Sequence, residues 1–323
     1  MPEWITGGMV PPPELLPDVL PSQHLTETGV PVRDLRDRLR RVPTIRNVLT
    51  IFSVWGQVVG EIWLAVWASN PFVWAAVFVL MGRNFANMAI LGHEASHRIL
   101  LPKRRLNDFV GRWLAFYPNF TPYDIYRRSH MAHHREEFGP TEPDMNFYSG
   151  FPVGWPSMLR KFGRDATGVT GARNMVALFK AFGSRRGLPI AMRILAAQLV
   201  IIAVFVGMGR PELYVFIWLL PWMTVWKVLN RLRSIAEHGG MHKSDDRRET
   251  THHVRQSLIP RFWFAPFNTG WHLAHHVDPG VPFRHLPALH DQLIVAGYVP
   301  DGLTWPNYTS LWKALAEGRP VKT

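Results

Sequence analysis

The runs "VLTIFSVWGQVVGEIWLAVWA" at residues 48–68 and "PFVWAAVFVLMGRNFANMAIL" at 71–91 decide how this chain folds. A helix that crosses a bilayer needs about 20 mostly apolar residues, and each run has that length. Two further runs follow as a second pair, "ILAAQLVIIAVFVGM" at 194–208 and "LYVFIWLLPWMTVWKVL" at 213–229. The competing reading is a soluble protein with buried core helices. The pairing argues against it, because each pair is joined by a tiny polar link, "SNP" or "GRPE", as a hairpin that crosses and returns would be. The second run carries Arg83, Asn84 and Asn87. A charge there is costly enough to need a partner; Arg83 either pairs with Glu61 of the first run or faces a cap formed outside the bilayer by the polar segments that follow the two pairs of runs.

Charge then sets the orientation. Lys and Arg number 36 against 24 Asp and Glu, a formal net charge of +12. Such an excess fits nucleic acid, anionic lipid or an acidic partner, and its position chooses among them. The two short links hold only Arg210, whereas the N-terminal segment, residues 92–193 and everything from Lys227 onward are basic. By the positive-inside rule those three segments share the cytoplasmic side, and nucleic acid is not expected as a partner. Residues 1–30 read as a Pro-rich, extended and loosely ordered arm without the pattern of a cleavable signal peptide. Residues 31–323 read as a single membrane domain. "PVRDLRDRLRRVPTIRN" at 31–47 suits a basic amphipathic helix, lying at the headgroups or simply solvated. Residues 155–190 mix apolar and basic side chains in the same interfacial way.

With that topology, histidines far apart in sequence return to one side. "HMAHH" places His130, His133 and His134 at i, i+3 and i+4, and "HLAHH" repeats the spacing with His272, His275 and His276. On a helix these positions share a face, so each triplet aims three imidazoles one way. With 15 histidines in 323 residues, H-x-x-H-H is expected by chance only about 0.03 times, and it occurs twice. "HEASH" adds His93 and His97, a weaker pattern alone. His238 follows the fourth run closely and completes a set of nine. His242, His252, His253, His285 and His290 lack the spacing and read as cap packing, and His24 falls in the arm.

Imidazole is the commonest side-chain metal ligand. The chain has no cysteine, which excludes disulfides, thiolate metal sites, iron–sulfur clusters and thiol nucleophiles. One zinc needs three or four ligands. Eight or nine imidazoles suit two metals with open positions, iron being the natural choice for dioxygen and copper an alternative. Ligating imidazoles need the other ring nitrogen hydrogen-bonded. Glu94, Asp108, Glu142, Asp144, Glu237 and Asp278 are near enough in sequence to serve, and Asn268 could hold a metal-bound water.

The segments "GHEASHRILLPKRRLNDFVGRWL", "RRSHMAHHREEFGPTEPDMNFY" and "NTGWHLAHHVDPGVPFRHLPALH" resemble the three histidine boxes of the membrane fatty acid desaturases, and the resemblance extends from about residue 48 to 297. It implies an all-α integral membrane protein, with four transmembrane helices in two hairpins and a cytosolic helical cap holding a His-rich di-metal site. Carried over by motif, His93, His97, His130, His133, His134, His238, His272, His275 and His276 become ligands of two iron ions. Asp108, Asp144, Glu237, Asn268 and Asp278 are the candidates for orienting them. Ser234 stands where some relatives place an asparagine four residues ahead of the isolated histidine.

The activity implied is oxygen-dependent desaturation of a fatty acyl chain, as an acyl lipid or acyl thioester, with dioxygen as co-substrate. Electrons are expected from a separate ferredoxin, or from a b-type cytochrome with its reductase. The expected setting is a bacterial inner membrane with the catalytic face in the cytoplasm. Hydroxylation or ketolation of a lipid, alkane or carotenoid would use the same site. A haem electron-transfer protein and a zinc-dependent membrane hydrolase are rivals of a different class.

Overall fold

The computed structural model describes residues 6–68 and 70–317. Residues 1–5 of the expected arm and Ser69 of the first link lie outside the described residues. Among the described residues helix dominates, and the strands are the two-residue segments His253–Val254 and Thr304–Trp305, paired parallel with His253 opposite Thr304. Four helices among the described residues are long and apolar enough to cross a membrane. The first occupies Thr44–Ala68 and the second Pro71–His97. The third is Leu188–Gly207, and the fourth stretch covers Glu212–His238. The first, third and fourth begin earlier than the apolar runs suggest, and the second and fourth continue past them into polar sequence that carries histidines. The described residues group into two compact units, one built on residues 44–127 and 160–230, the other on the remainder.

The first unit holds the bulk of the spans. Asn70 caps the second helix, its Oδ1 accepting from the Phe72 amide at 2.8 Å, with Pro71 at the first helical position. Both choices satisfy or remove amides that a helix start leaves without partners. Large apolar side chains point outward along the spans: Trp67 is 71 % and Phe72 84 % exposed. In water such a surface would drive aggregation; in hydrocarbon it costs nothing. Inside, close approach replaces the hydrophobic drive. A Cβ on Gly82 would collide with Val225, and one on Gly92 with the Phe116 ring.

Polar groups within the spans are bonded to one another. Gln198 donates to the carbonyls of Tyr117 (2.9 Å) and Pro118 (3.1 Å), while its Oε1 accepts from Tyr214 Oη and Trp218 Nε1. Arg83 Nη1 donates to Gln57 Oε1, and Asn84 Nδ2 to Glu61 Oε1 at 2.8 Å. Arg83 and Glu61 thus join one hairpin network, with Asn84 supplying the hydrogen bond to the carboxylate. Pro221 interrupts the fourth stretch. It has no N–H to offer the preceding turn, and the helix is widened to a π-helical turn over Val215–Leu219.

The second unit carries the two histidine triplets. The short basic helix Arg33–Leu39 buries Leu35 and Leu39, and His285 Nδ1 donates to the Leu39 carbonyl at 2.7 Å. The described part of the N-terminal segment is extended but not loose. Met9 is 1 % exposed, the Gly7 and Met9 amides donate to Met241 and Gly240 carbonyls, and Arg248 donates to the Pro17 carbonyl. Its prolines fix extended backbone that partners elsewhere in the chain can hold, an order invisible in composition.

Candidate metal centre

Each histidine group rides on a helix end. The second span stops after His97, where Arg98 turns left-handed at φ 64°. Arg98 reaches Asp108, whose Oδ1 also accepts from Tyr123 Oη at 3.0 Å. Asn107 Nδ2 and Tyr123 Oη both donate to the Ala95 carbonyl at 2.8 Å. These bonds pin the last turn, in which the His93 and His97 rings meet edge to face with centroids 5.0 Å apart. Asp108 therefore braces the backbone between the two histidines by way of Tyr123 and Arg98. Its burial would raise the carboxyl pKa, but the hydrogen bonds from Arg98, Tyr123 and Asn107 outweigh this and hold it low. Glu94 is buried in the same turn.

The helix Tyr123–Arg135 supplies His130, His133 and His134, all three of them residues of the second unit. The helix His272–Val277, buried at every position, supplies His272, His275 and His276. His238 ends the fourth stretch. The i, i+3, i+4 spacing works as geometry demands, and the rings sort into two groups. In one, His134 Nε2 lies 3.1 Å from His130 Nε2 and 3.1 Å from His275 Nε2. In the other, His272 Nε2 lies 3.1 Å from His238 Nε2 and 3.0 Å from His276 Nε2. Ring nitrogens of His133, His238 and His276 all lie within 4.8 Å of one another.

Opposite nitrogens in the second group are tied outward. His238 Nδ1 donates to the Thr250 carbonyl at 2.9 Å. His133 Nδ1 faces both Glu142 oxygens, at 3.0 and 3.1 Å. His276 Nδ1 is bonded to Glu137 Oε1, and His272 Nδ1 lies 3.4 Å from Glu237 Oε1. A neutral imidazole has one N–H. With that proton on Nδ1, each Nε2 presents a bare lone pair, and lone pairs 3.0–3.1 Å apart repel. A positive charge must lie among them, and it is not readily a proton. Burial, then the neighbouring histidines, hold His272 and His276 well below their ordinary pKa. A metal cation meets the requirement, so the donor set fits a metal site. Burial also works to lower His133, but Glu142, with Asp144 and Glu137 behind it, outweighs that and leaves its pKa raised.

The carboxylates expected to orient these rings fall in different places. Glu142 and Glu237 stand behind His133 and His272. Asp144 stays within 4.8 Å of a His133 nitrogen and a Glu142 oxygen, and its backbone amide donates to Glu142 Oε1. Asp278 instead takes a two-point salt bridge from Arg40, at 2.7 and 3.1 Å. Asn268 sits in a left-handed turn at φ 69° before the last box, its Oδ1 accepting from Arg261. Sequence reasoning passed over Glu137, which lies in the turn just beyond the helix end at Arg135, where helical spacing no longer says which way a side chain points. It also passed over the Thr250 carbonyl, which nothing in side-chain spacing announces.

Comparison with known proteins agrees with this chemistry. The family model described as fatty acid desaturase matches residues 31–306. The chain is 23 % identical over 266 residues to dihydrorhizobitoxine desaturase of Bradyrhizobium elkanii, covering 77 % of this chain and 76 % of that protein. It is 26 % identical over 247 residues to a beta-carotene ketolase of Paracoccus sp. (strain N81106 / MBIC 01143), covering 74 % and 88 % respectively. It is also similar to the chloroplastic omega-6 fatty acid desaturase of Brassica napus, at 21 % identity over 88 % of this chain and 67 % of the relative. Four helices apolar enough to span a bilayer, buried imidazoles arranged for metal and a family match over most of the length lead to one assignment: the chain is a membrane oxidoreductase belonging to the fatty acid desaturase family.

Proposed function

We propose that this protein desaturates a fatty acyl chain, presented as an acyl lipid or acyl thioester, with dioxygen as oxidant. The observation that carries the reading is the convergence of Nε2 lone pairs at 3.0–3.1 Å with their opposite nitrogens tied outward. The proposed ligands are His130, His133, His134, His238, His272, His275 and His276; the motif resemblance adds His93 and His97. Two iron ions held by this set would supply dioxygen binding and its reduction, chemistry no side chain offers. The balance is one –CH2–CH2– unit, dioxygen, two electrons and two protons giving one –CH=CH– unit and two waters. Electrons come from a separate carrier, a ferredoxin or a b-type cytochrome. One relative bears the name sn-1 acyl-lipid omega-3 desaturase (ferredoxin), which supports the first. The basic segments flanking the spans support a cytoplasmic catalytic face, and the proposed setting is a bacterial inner membrane.

The chain's own part is orientation and exclusion of water. Thr250, Glu142, Glu137 and Glu237 fix tautomer and ring direction, and burial of all seven imidazoles in the second unit keeps bulk solvent from the ligand atoms.

A second reading, ketolation or hydroxylation of a lipid or carotenoid, is favoured by the similarity to a beta-carotene ketolase over 88 % of that protein. Mass spectrometry of lipids from cells expressing the wild type or His133→Ala separates them. Desaturation predicts a product lighter by two hydrogens that is absent from the variant. A product heavier by oxygen supports the second reading, and identical lipid profiles contradict both.

A further inference from the structure

The four-residue helix Arg247–Thr250 belongs to none of the histidine boxes, yet it reaches ligand histidines from both triplets and the isolated His238. Thr250 accepts from His238 Nδ1. Arg247 Nη1 donates to Glu137 Oε1 at 2.7 Å, the same oxygen that meets His276 Nδ1. Arg247 Nη2 lies 3.4 Å from the His134 carbonyl. A nitrogen of His134, a nitrogen of His276 and an oxygen of Glu137 lie within 4.8 Å of one another, so this carboxylate stands beside a member of each histidine group. The helix is itself braced. Asp246 caps it through the Arg248 amide, pairs with the Arg248 guanidinium and accepts from Tyr298 Oη at 2.8 Å.

The chemistry of one oxygen shared by an imidazole and a guanidinium is specific. A carboxylate accepting from the outer N–H of a ligating imidazole raises that ligand's basicity. An arginine bound to the same oxygen draws charge away and weakens the effect. Glu137 is almost wholly buried, its side chain 1 % exposed, while the Arg247 side chain is 27 % exposed. The charge on the carboxylate is thus felt in a dry site and trimmed by a cation at its edge.

We propose that Glu137 and Arg247 are positioning residues that set the reduction potential of the metal centre in opposite directions through His276. The inference rests on the metal-centre reading above and adds to it a pair that the histidine motifs do not include. Glu137 makes the centre harder to reduce by enriching His276; Arg247 makes it easier by depleting Glu137. A purely structural clamp would have no sign, and either loss would perturb the site alike.

The test uses the purified iron-loaded full chain, with iron content and midpoint potential measured for wild type, Glu137→Gln, Arg247→Gln and Arg247→Lys. With iron supplied in excess, iron content should hold in all four, because glutamine at position 137 keeps one acceptor for His276 and excess metal covers the about 10- to 100-fold loss of affinity that such a change carries. Glu137→Gln should shift the midpoint upward, Arg247→Gln should shift it downward, and Arg247→Lys should return it toward wild type. Shifts in the same direction, no shift in either, or loss of iron from a glutamine variant would overturn the inference while leaving the metal centre standing. A wild-type chain that takes up no iron would overturn the metal-centre reading and this inference with it.

Discussion

At the scale of single residues, the centre depends on which ring nitrogen holds the proton. Glu142 fixes this for His133 with two contacts near 3 Å. Glu142→Gln offers only one acceptor and no charge, so metal affinity should fall about 10- to 100-fold, the usual cost of losing such a partner; competition with a chromophoric chelator measures it. Other buried histidines have a different task. His252 donates from Nε2 to the Gly239 carbonyl at 2.7 Å, and His253 stacks on His290 with centroids 4.3 Å apart. Burial lowers His252 to about 4 and His253 to about 3, from an ordinary 6.5. Both are neutral when folded and take up protons on unfolding below pH 6.5, so stability falls as pH drops from 6.5 toward 4. The thermal midpoint should decline across that range, and His253→Phe should flatten the slope. An unchanged slope would remove His253 from the account. The boxes themselves were legible, because H-x-x-H-H is a face of a helix whatever surrounds it. The Thr250 carbonyl, the Arg40–Asp278 bridge and the Arg261–Asn268 bond were not, since each joins a motif residue to something outside its motif.

Among the elements, hairpin spans hold together through small residues and a few satisfied polar groups. Gln198 joins the third span to the Tyr117–Pro118 turn and to two aromatics of the fourth. Gln198→Leu removes all four bonds; at about 0.6 kcal/mol for an average hydrogen bond between membrane helices, we expect a loss of roughly 2–3 kcal/mol. Equilibrium unfolding in mixed micelles reads it, and no loss would show that packing alone suffices. The spans were readable because hydrocarbon demands long uninterrupted apolar helix. Their starts and polar ends, and the π-helical turn before Pro221, were less so, because satisfied hydrogen bonds carry the helix beyond its hydropathy. The N-terminal segment was the least readable element. Proline-rich composition describes a chain without its own core, and says nothing of the carbonyls and amides that hold Met9 in place.

For the whole molecule, the outward apolar surface of the spans and the basic flanks carry the membrane setting. Absence of native cysteine makes single-site labelling direct. A spin label at Val200→Cys, on an exposed face of the third span, should be reached by dissolved oxygen and shielded from a water-soluble relaxant in bilayers. In intact cells, an impermeant thiol reagent should modify Arg210→Cys in the second link, but reach Lys243→Cys only after permeabilisation. The reverse pattern would invert the proposed orientation. The measurement closest to the central claim is metal analysis with Mössbauer spectroscopy on the purified, iron-57-loaded chain. The account predicts two irons per chain in a nitrogen-rich environment, with iron lost from His238→Ala. Zinc in place of iron, a haem spectrum, or full iron content in His238→Ala would contradict it.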